Sequence, residues 1–152
     1  MAITPQKMRG VILNLGLRYR TSDGYGGSGY SASNGGHNIG DKPHVRIDYI
    51  GADRDHMPSS VRLATLRDKL KGLGFYVKLE GRNFYYSVHV YDDPVSDEGP
   101  TTHQVMADAR EETLASLNAS LNGNKVQIKD AVSELARRRK DLLEKKRKVE
   151  KW

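Results

Sequence analysis

Between residues 45 and 90 the apolar side chains change period twice, and that change limits the folds available. Val45, Ile47 and Tyr49 alternate with Arg46 and Asp48, the two-residue period of a strand with one buried face. Val61, Leu63, Leu66 and Leu70 lie between Pro58-Ser59-Ser60 and the pair Gly72 and Gly74, which predicts a helix with a marked start and stop. Phe75, Val77 and Leu79 return to a period of two, as do Phe84, Tyr86, Val88 and Val90, on either side of a tight turn at Glu80-Gly81-Arg82-Asn83. Strand–helix–strand predicts a parallel pair joined by a right-handed crossover, with the third strand returning antiparallel.

The flanks add helices. Thr4-Pro5 reads as an N-cap and first helical position, Met8, Val11, Ile12 and Leu15 form one face, and Gly16 ends the run. Residues 21–42 hold seven of the fifteen glycines and show no period, which predicts a long mobile loop. Asp92 to Pro100 is acidic, carries two prolines and reads as a boundary. A helix starting at Thr101 or Thr102 reaches about Leu121, where Asn122-Gly123-Asn124 is expected to break it. A last helix then runs from about Lys125 along the seam Ile128, Val132, Leu135, Arg139, Leu142, Lys146 and Val149. So short a turn predicts an antiparallel hairpin. The expected fold is therefore α+β: a small three-stranded mixed sheet with packed helices in residues 1–100, bearing the Gly/Tyr-rich loop at 21–42, and a helical hairpin ending in a basic helix in residues 101–152.

Charge is distributed unevenly. The sixteen residues from Arg137 to Trp152 hold nine Lys/Arg and three Asp/Glu, which accounts for the whole formal charge of +6. The rest is neutral, so the attraction toward polyanions is concentrated at one end. Arg137, Arg138, Arg139, Lys140, Lys145, Lys146, Arg147, Lys148 and Lys151 are the expected nucleic-acid contacts, neutralising phosphates along a helix. Arg18, Arg20, Tyr25 and Tyr30, in and beside the glycine-rich stretch, are expected to assist by stacking on bases and holding phosphates. The leading expectation is a non-enzymatic protein that binds DNA or RNA, without a cofactor.

Two other readings stand beside it. The apolar seam Ile128, Val132, Leu135 and Leu142 suits a homodimer or a protein partner, as in a viral accessory factor or an assembly subunit. Asp53, Asp55 and His56, with Asp48 upstream, follow the first strand where ligands collect in α/β units, and their hard donors would suit Mg²⁺ or Mn²⁺ in a phosphodiester-cleaving enzyme. No phosphate-loop, dinucleotide, nucleophile-elbow or zinc-helix motif occurs. His37, His44, His89 and His103 are scattered without ligand spacing, and His89 should alternate outward beside Tyr85 and Tyr91.

The absence of cysteine excludes disulfides, thiolate metal sites and a cysteine nucleophile. No apolar run approaches eighteen residues, so no membrane helix is expected, and the N-terminus lacks the pattern of a signal peptide. The expectation is a soluble cytoplasmic protein, or a nuclear one if the source is eukaryotic, because Lys145-Lys146-Arg147-Lys148-Val149 reads as a localisation run.

Overall fold

A computed structural model describes residues 2–21, 27–36, 40–52, 55–82 and 85–151. Helix α1 (Pro5–Asn14) begins as its sequence requires: the Thr4 hydroxyl accepts the Lys7 N–H at 3.2 Å, and Pro5 sits in the first turn. Beyond its end Gly16 adopts φ 74°, a left-handed conformation that favours glycine. Strands β1 (Gly29–Gly35) and β2 (His44–Ile50), helix α2 (Ser59–Gly72), strands β3 (Tyr76–Arg82) and β4 (Tyr85–Tyr91), and helix α3 (Thr102–Glu150) follow.

The protein is α+β with one four-stranded sheet in the order β1-β2-β4-β3, and every neighbouring pair is antiparallel. This corrects the expected three-stranded mixed sheet twice over. β2 and β3 do run in the same direction around α2, but β4 lies between them. The most apolar strand takes the interior place, with Val88 and Val90 fully buried. The additional strand, β1, lies inside the stretch expected to be loop. Its sequence GYSASNG is short of bulky side chains, yet Tyr30, Ala32 and Asn34 pair with Tyr49, Ile47 and Val45 in register. An edge strand needs little more than one large inward residue and a partner's backbone. Glu80, Gly81 and Arg82, expected in a tight turn, belong to β3, and Asn83 lies outside the described residues.

Met8 and Ile12 of α1 and Leu63, Leu66 and Leu70 of α2 are buried with Val45, Ile47, Val77, Leu79, Val88 and Val90 of the sheet, and Val105 and Ala109 of α3 join the same core. The helices cover one face of the sheet. Both sheet edges are occupied by other chain segments. Tyr30 exchanges backbone hydrogen bonds with Arg18 and Arg20, and the Leu79 N–H donates to Asp97 Oδ1 at 3.2 Å.

That aspartate is part of a buried latch. Arg67 and Asp97 are 3% and 4% exposed at the side chain and approach to 3.4 Å. Asp97 also accepts from Lys71 Nζ at 2.6 Å and from the Gly99 N–H at 3.1 Å, while Arg67 donates to the Pro100 carbonyl at 2.5 Å and to Thr102 at 3.3 Å. Burial raises the Asp97 pKa, but these donors outweigh it and hold the carboxyl below its ordinary value. The latch ties α2 and β3 to the segment leading into α3. There Thr101 and Gln104 exchange side chain-to-backbone bonds at 2.9 and 3.2 Å, a capping box.

No hairpin forms. α3 is a single helix of 49 residues that passes through Asn122-Gly123-Asn124. Gly123 is not among the glycines with positive φ. An interior glycine costs about 1 kcal/mol relative to alanine, whereas stopping and restarting a helix costs a second nucleation. The chain divides into two compact units, Met1–Arg110 and Glu111–Trp152. No helix among the described residues is long and apolar enough to cross a membrane.

Candidate functional surfaces

Strand alternation that buries Val45, Ile47, Val77, Leu79, Val88 and Val90 places His44, Arg46 and Asp48 of β2, Tyr76, Lys78, Glu80 and Arg82 of β3, and Tyr85, Ser87, His89 and Tyr91 of β4 on the opposite face. Helices α1 and α2 pack on the other side, through Met8, Ile12, Leu63, Leu66 and Leu70. Two concavities lie on this face. One, of about 600 Å³, is bordered by His44, Arg46, Lys78, Glu80, His89 and Tyr91. The other, of about 390 Å³, is bordered by Arg46, Glu80, Tyr85, Ser87 and His89.

The centre is a hydrogen-bonded line of side chains. His44 Nδ1 lies 2.8 Å from the Lys42 carbonyl, His89 Nδ1 lies 2.6 Å from His44 Nε2, and Ser87 Oγ lies 2.9 Å from His89 Nε2. A carbonyl only accepts, so His44 Nδ1 carries a proton and donates. With neutral rings, His44 Nε2 then accepts from His89 Nδ1–H, and His89 Nε2 accepts the Ser87 hydroxyl proton. The line is thus polarised in one direction. Tyr91 stacks on His44 with centroids 4.7 Å apart, and Lys78 Nζ lies 5.3 Å from the Tyr91 centroid. Gly35 is needed for this arrangement: a Cβ there would overlap the His44 ring.

Burial lowers the His89 pKa below the usual imidazole value. Glu80 opposes that shift, His44 and Arg46 reinforce it, and Asp48 opposes it. Protonating His89 places a proton on both of its nitrogens, so Nε2 ceases to accept from Ser87. The neutral line therefore contributes stability above the ordinary imidazole value of 6.5, and that contribution is lost as pH falls through the lower folded value. Replacing His44 by Ala removes a covering ring and a like charge. The His89 midpoint, followed by imidazole NMR, is expected to move upward; an unmoved midpoint would show that the pair is not coupled.

Aromatic rings extend the face at both ends. Tyr85, 85% exposed, pairs in register with Arg82, and Tyr76, 44% exposed, pairs with Tyr91. Arg46 and Lys78 are partly neutralised by Asp48 at 3.0 Å and Glu80 at 3.3 Å.

The second surface is on α3. From Glu111 to Lys151 every residue is exposed except Glu134, which is half-buried. Arg137 and Arg138 share Glu134 at 2.8 and 3.1 Å, and Lys146 and Lys148 approach Glu150 and Glu144 at 3.8 and 3.5 Å. These pairs are local to the helix and solvent-exposed, so each contributes little stability. Arg139, Lys140, Lys145, Arg147 and Lys151 have no carboxylate partner among the described residues.

The other expected residues fall elsewhere. Tyr30 is a core residue at 6% exposure, its hydroxyl donating to the Arg62 carbonyl at 3.2 Å and its ring meeting Tyr49 edge-on. It is not free to stack on a base. Arg18 and Arg20 flank the β1 edge through their backbones. Tyr25 and Asp53 lie outside the described residues. Asp55 is engaged by Arg62 at 2.7 Å and by the Met57 N–H at 3.1 Å, donors that lower its pKa, and Asp48 pairs with Arg46. His56 follows Asp55 with φ 57°. No group of three or more potential ligands that could hold a metal occurs among the described residues. Ile128, Val132, Leu135 and Leu142 are all exposed.

Sequence spacing does not reveal the His44–His89 contact, because 45 residues separate the two rings. The signal that was present is parity: both stand one position out of phase with the buried valines of their strands. No family model, curated protein or solved structure matches this chain.

Proposed function

We propose that the chain is a nucleic-acid-binding protein that contacts phosphates through the C-terminal part of α3. One observation carries this reading: nine Lys/Arg side chains from Arg137 to Lys151 lie on an exposed helix, and five of them lack a carboxylate partner among the described residues. Phosphates displace counterions when such cations meet them, which supplies most of the binding free energy at low salt.

The open sheet face supplies a second, separate contact suited to unpaired bases. An antiparallel sheet with α1 and α2 packed on one face and aromatic rings projecting from the other offers stacking platforms. Tyr85 beside Arg82 is 85% exposed, and it takes the base-stacking role expected of Tyr30, which is buried.

The two contacts separate by experiment. Tyr85→Ala is expected to weaken binding of a single-stranded oligonucleotide about tenfold, within the 1–3 kcal/mol per stacked base seen for such rings, and to leave duplex binding unchanged. Fluorescence anisotropy with a labelled strand and its duplex reads both. Equal losses on the two probes, or none on the single strand, would remove the sheet from the binding surface.

A further inference from the structure

The exposed helix also carries a seven-residue repeat that phosphate binding does not use. Leu114, Leu121, Ile128, Leu135, Leu142 and Val149 recur at every seventh position, and each is between 53% and 66% exposed. The positions three residues before them are Glu111, Asn118, Lys125, Val132, Arg139 and Lys146. A stripe with this spacing is buried when a second helix supercoils along it.

We propose that residues 111–149 of two copies of this chain pair as an antiparallel two-stranded coiled coil. Charge selects both the partner and its direction. In a parallel pair each residue of the seam meets its own copy. Four of the six intervening layers would then set like charges together, at Glu111, Lys125, Arg139 and Lys146, and the two cationic ends would lie side by side. In an antiparallel pair that engages all six repeats, each apolar residue meets the other class of position. Arg139 lies opposite Leu121, Lys146 opposite Leu114, and Val132 opposite Ile128. The stems of Arg139 and Lys146 cover the leucines while their charged heads reach water, and the Ile128–Val132 layers at the centre are wholly apolar. No layer of the antiparallel seam sets two charged side chains together, since Glu111 meets Val149, Lys125 meets Leu135 and Asn118 meets Leu142. Arg137, Lys140, Arg147, Lys148 and Lys151 stand off the seam, so self-association leaves them for phosphate. The seven-residue repeat is an observation independent of the net charge, and its test is independent too.

Sedimentation equilibrium of the full chain is expected to give about 34 kDa, twice the 17.0 kDa of one copy, and to return to the single-copy mass when Leu121 and Leu135 are both replaced by Glu. Orientation is read by cross-linking, because the chain has no cysteine of its own. Oxidising a mixture of the Glu111→Cys and Val149→Cys variants is expected to give the mixed disulfide in excess, and a Lys125→Cys with Leu135→Cys mixture should repeat it nearer the centre. A monomer at every concentration overturns the proposal. So does a dimer whose disulfides join only like variants, since that is the parallel arrangement.

Discussion

Replacing Lys145, Lys146, Arg147 and Lys148 together by Glu is expected to lower duplex DNA affinity about a thousandfold or more near 0.1 M salt. Each phosphate contact contributes about 0.9 to the logarithmic salt dependence, and four reversed charges replace attraction with repulsion over the same stretch. The helix should survive. The local pairs lost, Lys146–Glu150 and Lys148–Glu144, are exposed and are worth about 0.3–0.5 kcal/mol each in helices. Helicity by circular dichroism and affinity by gel shift separate a lost contact from a lost fold. A variant that binds as tightly as the original would place the phosphate contacts elsewhere.

The second large effect is on stability. Asp97→Ala is expected to cost about 3–5 kcal/mol in urea unfolding, the range for breaking a buried ion pair. It removes one of two carboxylates at the buried Arg67 guanidinium, leaving Asp68 at 3.1 Å, and leaves the Leu79 and Gly99 N–H groups without their acceptor. The sign of the pH dependence follows. Asp97 titrates below its ordinary 3.8 in the folded chain, so its contribution is complete above that value and is lost as pH falls through the lower folded one. The gap in stability between the original chain and Asp97→Ala should therefore narrow in acid. A gap of less than about 1 kcal/mol at neutral pH, or one that widens in acid, would mean that the latch does not hold α2 and β3 to the segment before α3.

Which features were legible in the sequence follows from how local their causes are. Thr4, Pro5 and Gly16 act within one turn of α1, and the structure places that helix between them. β2, α2 and β4 announce themselves because alternation or a helical face persists over several residues, each reinforced by burial. β1 was missed because its pairing depends on Tyr49, Ile47 and Val45 rather than on its own serines and glycines. The hairpin was misread because Asn122-Gly123-Asn124 resembles a turn locally, while helix cooperativity is set by the long flanks on both sides. Asp97 looked like part of an acidic linker, and only the fold brings Arg67 and Lys71 to it from 30 and 26 residues away. The cationic run needed no tertiary information at all, since a block of charge on an exposed helix remains what the sequence says it is. The His44–His89 line and the Tyr85 platform depended on strand register, which periodicity does not supply across 45 residues.

The most direct measurement is a titration of the unmodified chain with a labelled duplex at a series of salt concentrations. With four phosphates engaged by the end of α3, the logarithm of the affinity should fall against the logarithm of salt with a slope of about −3.6. A slope near zero, or no binding at low salt, would contradict the central claim that these cations exist to meet nucleic-acid phosphate.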